Sequence, residues 1–467
     1  MNFKIGWQKS DFLFKNEIPL FFIAIYFVLS LINNLFLGAN PKQSFLPILL
    51  LLLLFVITYF SSKEIPKSIS EKKIILFVDF ILLINVIFFI TGKFNSEGHF
   101  LNVLREKAGF NVKVFFIIFS LIFFAVKIFY RKLFTLQWSF IFTALFFFTS
   151  LLLIPLLYPT PFIDLFIILK QSIVDISQNI DPYNRVFPDI YNGNYDYTYL
   201  KQDIKLVYWP FNLYLLYPFQ VIFGDLRFAY IFSLVISCFI LYLGTKKNKI
   251  VFYLSFILLF SNPYTFYMVK YAWIDILAFP FFALYFLLFK SKKYVIAFII
   301  LGILMALKLY YIFLLPISIL YFYNITKKLS QTILIGILSI FISIICFLPF
   351  LFTNEQALIY TITYFLKSLP RFDSLSITGY FAQFGLNINL FSSFLSLLII
   401  AIIFLRIWKN KRASILFQIQ DLVLILFALF IFGKQAFGNY YFNLMFLAII
   451  YISILLEKKE IVTKEIS

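Results

Sequence analysis

Continuous apolar runs recur along the chain from Leu20 to Leu456, separated by short clusters of lysine and arginine. Within the runs apolar residues do not alternate with polar ones, which predicts helices rather than strands. A hydrocarbon core about 30 Å thick takes roughly 20 helical residues to cross, and only helices or closed barrels satisfy peptide groups inside it. The runs predict 14 spans, near 18–37, 45–60, 74–91, 113–130, 138–157, 226–244, 249–261, 272–289, 294–307, 309–323, 331–352, 387–405, 418–434 and 439–456. The expected fold class is an all-α polytopic membrane protein with about 14 transmembrane helices. Two long external segments interrupt the pattern, at 158–227 and 353–386.

Composition agrees with this. Hydrophobic residues make up 63% of the chain and charged residues 13%, more apolar surface than one soluble core of 467 residues would bury. The first run follows Lys4, Lys9 and Lys15 without a small-residue cleavage pattern, so it is expected to be a span and not a cleavable signal peptide. The net charge of +19 is spread in small groups between runs, which points to topology and away from nucleic acid.

A cytoplasmic N-terminus puts Lys63 to Lys73, Arg131 and Lys132, Lys246 to Lys249, Lys290 to Lys293, Lys327 and Lys328, Arg406 to Arg412, and Lys458 and Lys459 all inside. About 25 of the 40 basic residues then occupy roughly 70 cytoplasmic positions, against about 15 in roughly 150 external ones. Two local structures follow. Tyr208 to Phe223 must lie along the external surface, closed by Gly224, because a crossing there would move Lys246, Lys247 and Lys249 outside. Tyr294 to Tyr323 has basic flanks on both sides and must be a hairpin of two short helices with its tip near Lys308; each arm reaches about 21 Å, so the tip opens into a polar cavity. Internal repeats of the transporter kind are not evident.

Asp164, Asp275, Lys308 and Arg371 sit beside apolar stretches, and this topology puts all four at the external face. Asp164 follows the fifth run, where a carboxylate serves as a helix N-cap or, partly desolvated, as a general base for an acceptor hydroxyl. Asp275 heads a span, again a favourable place for a negative charge. A lysine at membrane depth costs roughly 2.5–3.5 kcal/mol, so Lys308 either snorkels or has an anionic contact. Arg371 lies beside Asp373, its alternative partner to a phosphate. Lys434 and Lys270 are further external cations. Tyr191, Tyr195, Tyr197 and Tyr199 form an aromatic cluster that suits either the interface or a stacked sugar. Asp79 and Asn85 are the polar exceptions inside the third run, and Asp79, toward its cytoplasmic half, is expected to pair with a polar group between helices. Cys238 and Cys346 lie within runs and lack metal-ligand spacing, His99 is the only histidine, and no Asp-x-Asp pair occurs, so no metal and no cofactor are expected.

Asp164, its spacing to Asp181-Pro182-Tyr183, the later Tyr208-Trp209-Pro210, Trp273-Ile274-Asp275 at the head of a span, and Lys308 with Pro316 after it resemble the GT-C superfamily of integral membrane glycosyltransferases. Within it the chain is most similar to glycosyltransferase family 87, the polyprenol-phosphate-mannose-dependent type. The resemblance covers about 135–456 and departs from the family at two points: the four spans before residue 133 are extra, and the Gly-Gln common before the second aspartate is Trp273-Ile274 here. It implies an N-terminal extension at 1–132, a catalytic membrane core at 133–456 and a cytoplasmic tail at 457–467. It implies Asp164 as the base, Lys308, Arg371 and Lys434 on the donor phosphate, and Asp275, Asp181, Tyr183 and Tyr208 on sugar or acceptor. The turn Lys434-Gln435-Ala436-Phe437-Gly438-Asn439-Tyr440 is similar to a C-terminal motif of that superfamily.

The implied activity moves a mannose-like hexose, with inversion, from a polyprenyl-phosphate sugar donor to a lipid-linked or cell-envelope glycan acceptor. The implied partners are that donor, a glycan or glycolipid acceptor and membrane lipids, and no nucleic acid. The implied location is the inner (plasma) membrane, with both termini cytoplasmic and the site extracytoplasmic. The alternatives are a lipid-linked oligosaccharide flippase or other transporter, and an envelope polysaccharide polymerase or ligase. The topology is checked with an impermeant thiol reagent on Gly224→Cys and Lys246→Cys, each in a background lacking Cys238 and Cys346. The two are expected to label from opposite sides of the membrane, and labelling from one side would overturn the external assignment.

Overall fold

A computed structural model describes residues 28–29, 46–61, 71–91, 106, 112–130, 135–190, 204–351, 359, 361, 363, 370–371 and 374–465. Nearly all of the run at 18–37, together with His99, Tyr191 to Tyr199, Asp373 and much of 353–386, lies outside the described residues. Among the described residues 80% are helical and no strand forms.

The helices are α1 (Leu46–Ser61), α2 (Glu71–Thr91), α3 (Val112–Phe129), α4 (Leu136–Leu157), α5 (Asp164–Ser177), α6 (Pro210–Phe223), α7 (Phe228–Gly244), α8 (Lys249–Phe260) and α9 (Pro263–Lys270). After a 3-10 turn at Ile274–Ala278 come α10 (Phe279–Lys290) and α11 (Tyr294–Met305); after a second at Leu309–Phe313 come α12 (Leu314–Thr326), α13 (Leu329–Ile345), α14 (Asn389–Lys409), α15 (Ile415–Ile431) and α16 (Gly438–Glu465). Among the described residues four stretches are long and apolar enough to cross a membrane: Leu136–Leu157, Leu309–Thr326, Asn389–Lys409 and Gly438–Glu457. The number rises to six if the bent pairs α6–α7 and α8–α9 each form one span. The fold is thus that of an α-helical membrane protein. Fewer helices than runs meet the length test because the runs are cut by turns at one end: α8, α10 and α11 have 12 residues each, about 18 Å against a core of about 30 Å.

The bundle has two chemically different ends. At one end lie the basic turns. There α7, α10 and α14 finish with a lysine in the left-handed region, Lys246, Lys292 and Lys411. In each the next backbone N–H reaches back five residues to the helix, as in Lys247 N to Tyr242 O at 2.9 Å, Lys293 N to Leu288 O at 2.9 Å and Arg412 N to Ile407 O at 3.2 Å. These are Schellman caps, and the cations stand where the helix dipole is negative. Asp421 is buried at this end among Arg406, Arg412 and Tyr321, and Lys290 joins Glu457.

The opposite end holds the turns after α9, α11 and α15, which carry Asp275, Lys308 and Lys434. The stretch at 294–323 is the predicted hairpin: Tyr294 and Phe298, on the first arm, meet Phe322 of the second edge to face at ring-centre distances of 5.0 and 5.8 Å, and the tip is Ala306 to Lys308. The stretch after Tyr208 is also a separate helix, turned by 111° from α7. Gly224 closes it at φ 72°, a conformation that a side chain would disfavour.

Helix α16 runs through the centre, with 94% of its spanning window buried, and Phe446 stacks on Phe279 of α10 at 4.1 Å. By contrast α13 and α14 expose Ile333, Leu334, Ile337, Phe341, Phe394, Leu397 and Leu405, faces whose fitting solvent is lipid. The N-terminal helices pack directly on the rest: Phe55 of α1 meets Phe427 of α15 at 5.8 Å, and Phe89 of α2 meets Phe266 of α9 at 4.9 Å. Both polar exceptions of α2 are paired, Asp79 as expected. Asn85 donates to Ser261 Oγ at 3.0 Å, and Asp79 accepts from Lys127 of α3 and from Ser139 of α4.

Removing one member of a buried ion pair strands the other. Asp79→Leu or Lys127→Leu alone is therefore expected to cost about 3–5 kcal/mol, while the double variant recovers most of it. Thermal unfolding of the three proteins in detergent measures the coupling; additive losses would show that the pair contributes nothing.

Candidate functional site

The site is built on Asp275. Helix α9 ends in another Schellman cap, with Ala272 N bound to Val269 O at 3.2 Å and Trp273 N to Met268 O at 2.9 Å. Ala272 takes φ 57°, where glycine is usual, and the Tyr230 hydroxyl of α7 donates to its carbonyl at 2.9 Å. The cap turns the chain inward so that Asp275 is buried in the following 3-10 turn, with 1% of its surface exposed.

Four donors meet this carboxylate. On Oδ1 are Lys308 Nζ at 2.7 Å, the Tyr310 hydroxyl at 2.5 Å and Asn443 Nδ2 at 2.9 Å; on Oδ2 is Asn439 Nδ2 at 2.5 Å. Tyr311 donates to Asn443 Oδ1 at 2.9 Å and fixes that amide. Lys308 arrives from the hairpin tip, extended at φ −157° just before the second 3-10 turn. Its Nζ lies 4.2 Å from the centre of the Tyr440 ring and 5.0 Å from that of Tyr310, contacts that favour a cation. The sequence assigned Asp275 to a sugar and Lys308 to a phosphate; the structure pairs them with each other, and both Asp275 oxygens are taken by protein donors.

A second group adjoins the first through the aromatic turn before α16. Arg371 lies 4.8 Å from the Phe437 ring centre, Phe437 is 6.0 Å from Tyr440, and Trp273 is 6.3 Å from Phe437. The Arg371 segment is stitched to the Lys434 turn by backbone bonds: Arg371 N to Lys434 O at 3.4 Å and Leu375 N to Ala436 O at 2.6 Å. Ser374 Oγ accepts from Ala436 N at 2.6 Å, and the Tyr441 hydroxyl donates to Leu375 O at 2.7 Å. Gly379 allows the tight return, since a Cβ there would stand 2.6 Å from Arg371 O. Lys308, Arg371 and Lys434, far apart in sequence, are thus held around one turn, Lys434 to Tyr440.

The first long loop joins the same end by different contacts. Asp164 is half-buried at the start of α5, and its Oδ1 accepts from Leu165 N at 2.7 Å. Phe166, two residues on, lies 4.8 Å below the buried Arg227, which donates to Tyr158 O at 2.7 Å and pairs with Asp225. Lys270 is 4.0 Å from the centre of that same Tyr158 ring. Asp181 caps the turn Pro182–Asn184, accepting from Tyr183 N at 3.0 Å, and the buried Tyr183 hydroxyl donates to Tyr208 O at 2.6 Å. Burial, and after it the charge of Asp181 and the neighbouring Tyr214, holds the Tyr183 phenol well above its ordinary range, so it stays a donor. Four residues after Tyr208, the buried Asn212 donates to Leu307 O at 2.9 Å, directly beside Lys308. This loop therefore bears on the hairpin tip through Asn212, and it is Phe166, two residues past Asp164, that meets Arg227.

The residues that sequence reasoning missed are Tyr310, Asn439, Asn443, Asn212 and Arg227. A signal existed for one pair: Asn439 and Asn443, four apart at the start of an apolar run, fall on one helix face. Among the described residues no group of three His, Cys, Asp or Glu is placed to hold a metal ion. Comparison of the chain with protein-family models, with curated proteins and with solved structures gives no match.

Ser374→Ala would leave the buried Ala436 N–H without its partner, at about 1–3 kcal/mol. Hydrogen exchange at 374–376 and 436 is expected to rise while that of α16 stays constant; unchanged exchange would show the stitch to be dispensable.

Proposed function

We propose that this protein is a GT-C-type membrane glycosyltransferase that moves a mannose-like hexose from a polyprenyl-phosphate donor to a lipid-linked or cell-envelope glycan acceptor. The observation that carries this reading is the gathering of Lys308, Arg371 and Lys434 around the single aromatic turn at 434–440, at the end of the bundle opposite the basic turns. A lipid phosphate leaving group needs its developing charge neutralised, and preorganised cations in an apolar surround do that at little reorganisation cost.

In this reading the chain crosses the plasma membrane 14 times, the basic end is cytoplasmic, and the site is extracytoplasmic. Asp164 takes the proton of the acceptor hydroxyl as that oxygen attacks the anomeric carbon. The bond from that carbon to the phosphate oxygen breaks, and the departing lipid phosphate keeps the electron pair beside Lys308 and Arg371, with Lys434 adding to the positive field. A single displacement inverts the anomeric centre. The stitched turn at Asp181 to Tyr183 and Tyr208 shapes the acceptor side and bears on Lys308 through Asn212. Asp275 serves as the counter-ion of Lys308, because it is buried and each of its oxygens already accepts from a protein donor.

The test is transfer in membranes containing the protein, from a panel of radiolabelled polyprenyl-phosphate sugars. Wild type is expected to transfer one hexose to an endogenous acceptor, and Asp164→Asn to lose about 100-fold to 10,000-fold in rate at matched expression. Near wild-type transfer by that variant would remove Asp164 as the base, and no transfer from any donor would remove the reading.

A further inference from the structure

The hydrogen-bond pattern on Asp275 is lopsided in a way that bears on how an anion enters. Oδ1 has three donors, Lys308, Tyr310 and Asn443, against two lone pairs, while Oδ2 has one, Asn439. Without Lys308 the carboxylate would still accept from three neutral donors, Tyr310, Asn443 and Asn439, all fixed by the 3-10 turn and by α16. Lys308 is also the partner nearer the surface, its side chain 12% exposed against 0% for Asp275. Its other flank is the Tyr440 ring, which leads through Phe437 to Arg371.

We infer that Lys308 is a shared cation. It is paired with Asp275 when the site is empty and passes to the phosphate group of an incoming lipid phosphate, leaving Asp275 held by Tyr310, Asn439 and Asn443. This rests on the reading that Lys308 meets a phosphate, and it specifies that the resident carboxylate competes with the ligand instead of presenting the lysine to it. The exchange moves no covalent bond. It replaces one ion pair by another, so the lysine is never left in the apolar surround without an anion.

Asp275→Asn is a close isostere for the test. Asparagine can keep its carbonyl oxygen toward Tyr310 and Asn443, and its amide can donate to Asn439 Oδ1, which has no hydrogen-bond partner in the wild-type arrangement. The binding of a short-chain polyprenyl phosphate to the full-length protein in detergent is measured against the uncharged polyprenol of equal length. Wild type is expected to prefer the phosphate, and Lys308→Met to lose about 100-fold of that affinity. Asp275→Asn, with the competing carboxylate gone, is expected to bind about tenfold more tightly. Tyr310→Phe, which removes a donor that Asp275 needs after the exchange, is expected to bind several-fold more weakly.

If wild type fails to prefer the phosphate, or Lys308→Met binds as well as wild type, the phosphate reading falls and the exchange with it. If Lys308→Met loses affinity while Asp275→Asn is no tighter than wild type, the exchange alone is overturned, and Asp275 is an anchor for the lysine. Should Asp275→Asn not fold, unchanged binding by Tyr310→Phe overturns the exchange in its place.

Discussion

A buried carboxylate in an apolar bundle has to be compensated by groups brought to it, and Asp275 is compensated by two separate pieces of the chain. The hairpin tip supplies Lys308 and Tyr310, α16 supplies Asn439 and Asn443, and the cap of α9 points the aspartate at them. Desolvating a charge costs several kcal/mol even after relaxation, so an arrangement that lost one of these pieces would strand a charge. This requirement fixes how α9, the hairpin and α16 meet, and it places the aromatic turn before α16 against Lys308. The Arg371 segment is then located by backbone bonds to that turn.

The two ends of the bundle solve opposite problems. At the basic end the helices finish with lysines in left-handed caps, which satisfy orphan carbonyls and set cations against negative helix ends. At the other end the helices are short and stop at 3-10 turns and Schellman caps, so backbone and side-chain polar groups gather there. Short helices are tolerable because the central α16 is buried almost throughout and supports the tips.

The N-terminal helices α1, α2 and α3 are not peripheral. Asn85 and Phe89 of α2 brace the junction of α8 and α9 at Ser261 and Phe266, nine residues before Asp275 in the case of Phe266. Asp79 and Lys127 tie α2 to α3, and Ser139 ties both to α4. The region therefore stiffens the segment that carries the aspartate.

Sequence alone determined the all-helical membrane class, the hairpin at 294–323, the separate helix closed by Gly224 and the segregation of basic turns. Each of these is a consequence of apolar run length and flanking charge, which are local in the chain and need no knowledge of packing. It also singled out Asp275, Lys308, Arg371 and Lys434, because a charge beside an apolar run is conspicuous wherever it ends up. What it could not give was partnership. Whether Lys308 meets a phosphate, water or Asp275 depends on residues 33 to 168 positions away from the carboxylate, and nothing in the local pattern encodes which helix ends touch. Neutral partners such as Tyr310, Asn439 and Asn443 are inconspicuous in an aromatic-rich chain until tertiary structure turns their donors on one buried charge. That decision belongs to the packing of α9, the hairpin and α16, where the cost of an uncompensated carboxylate selects one arrangement over the others.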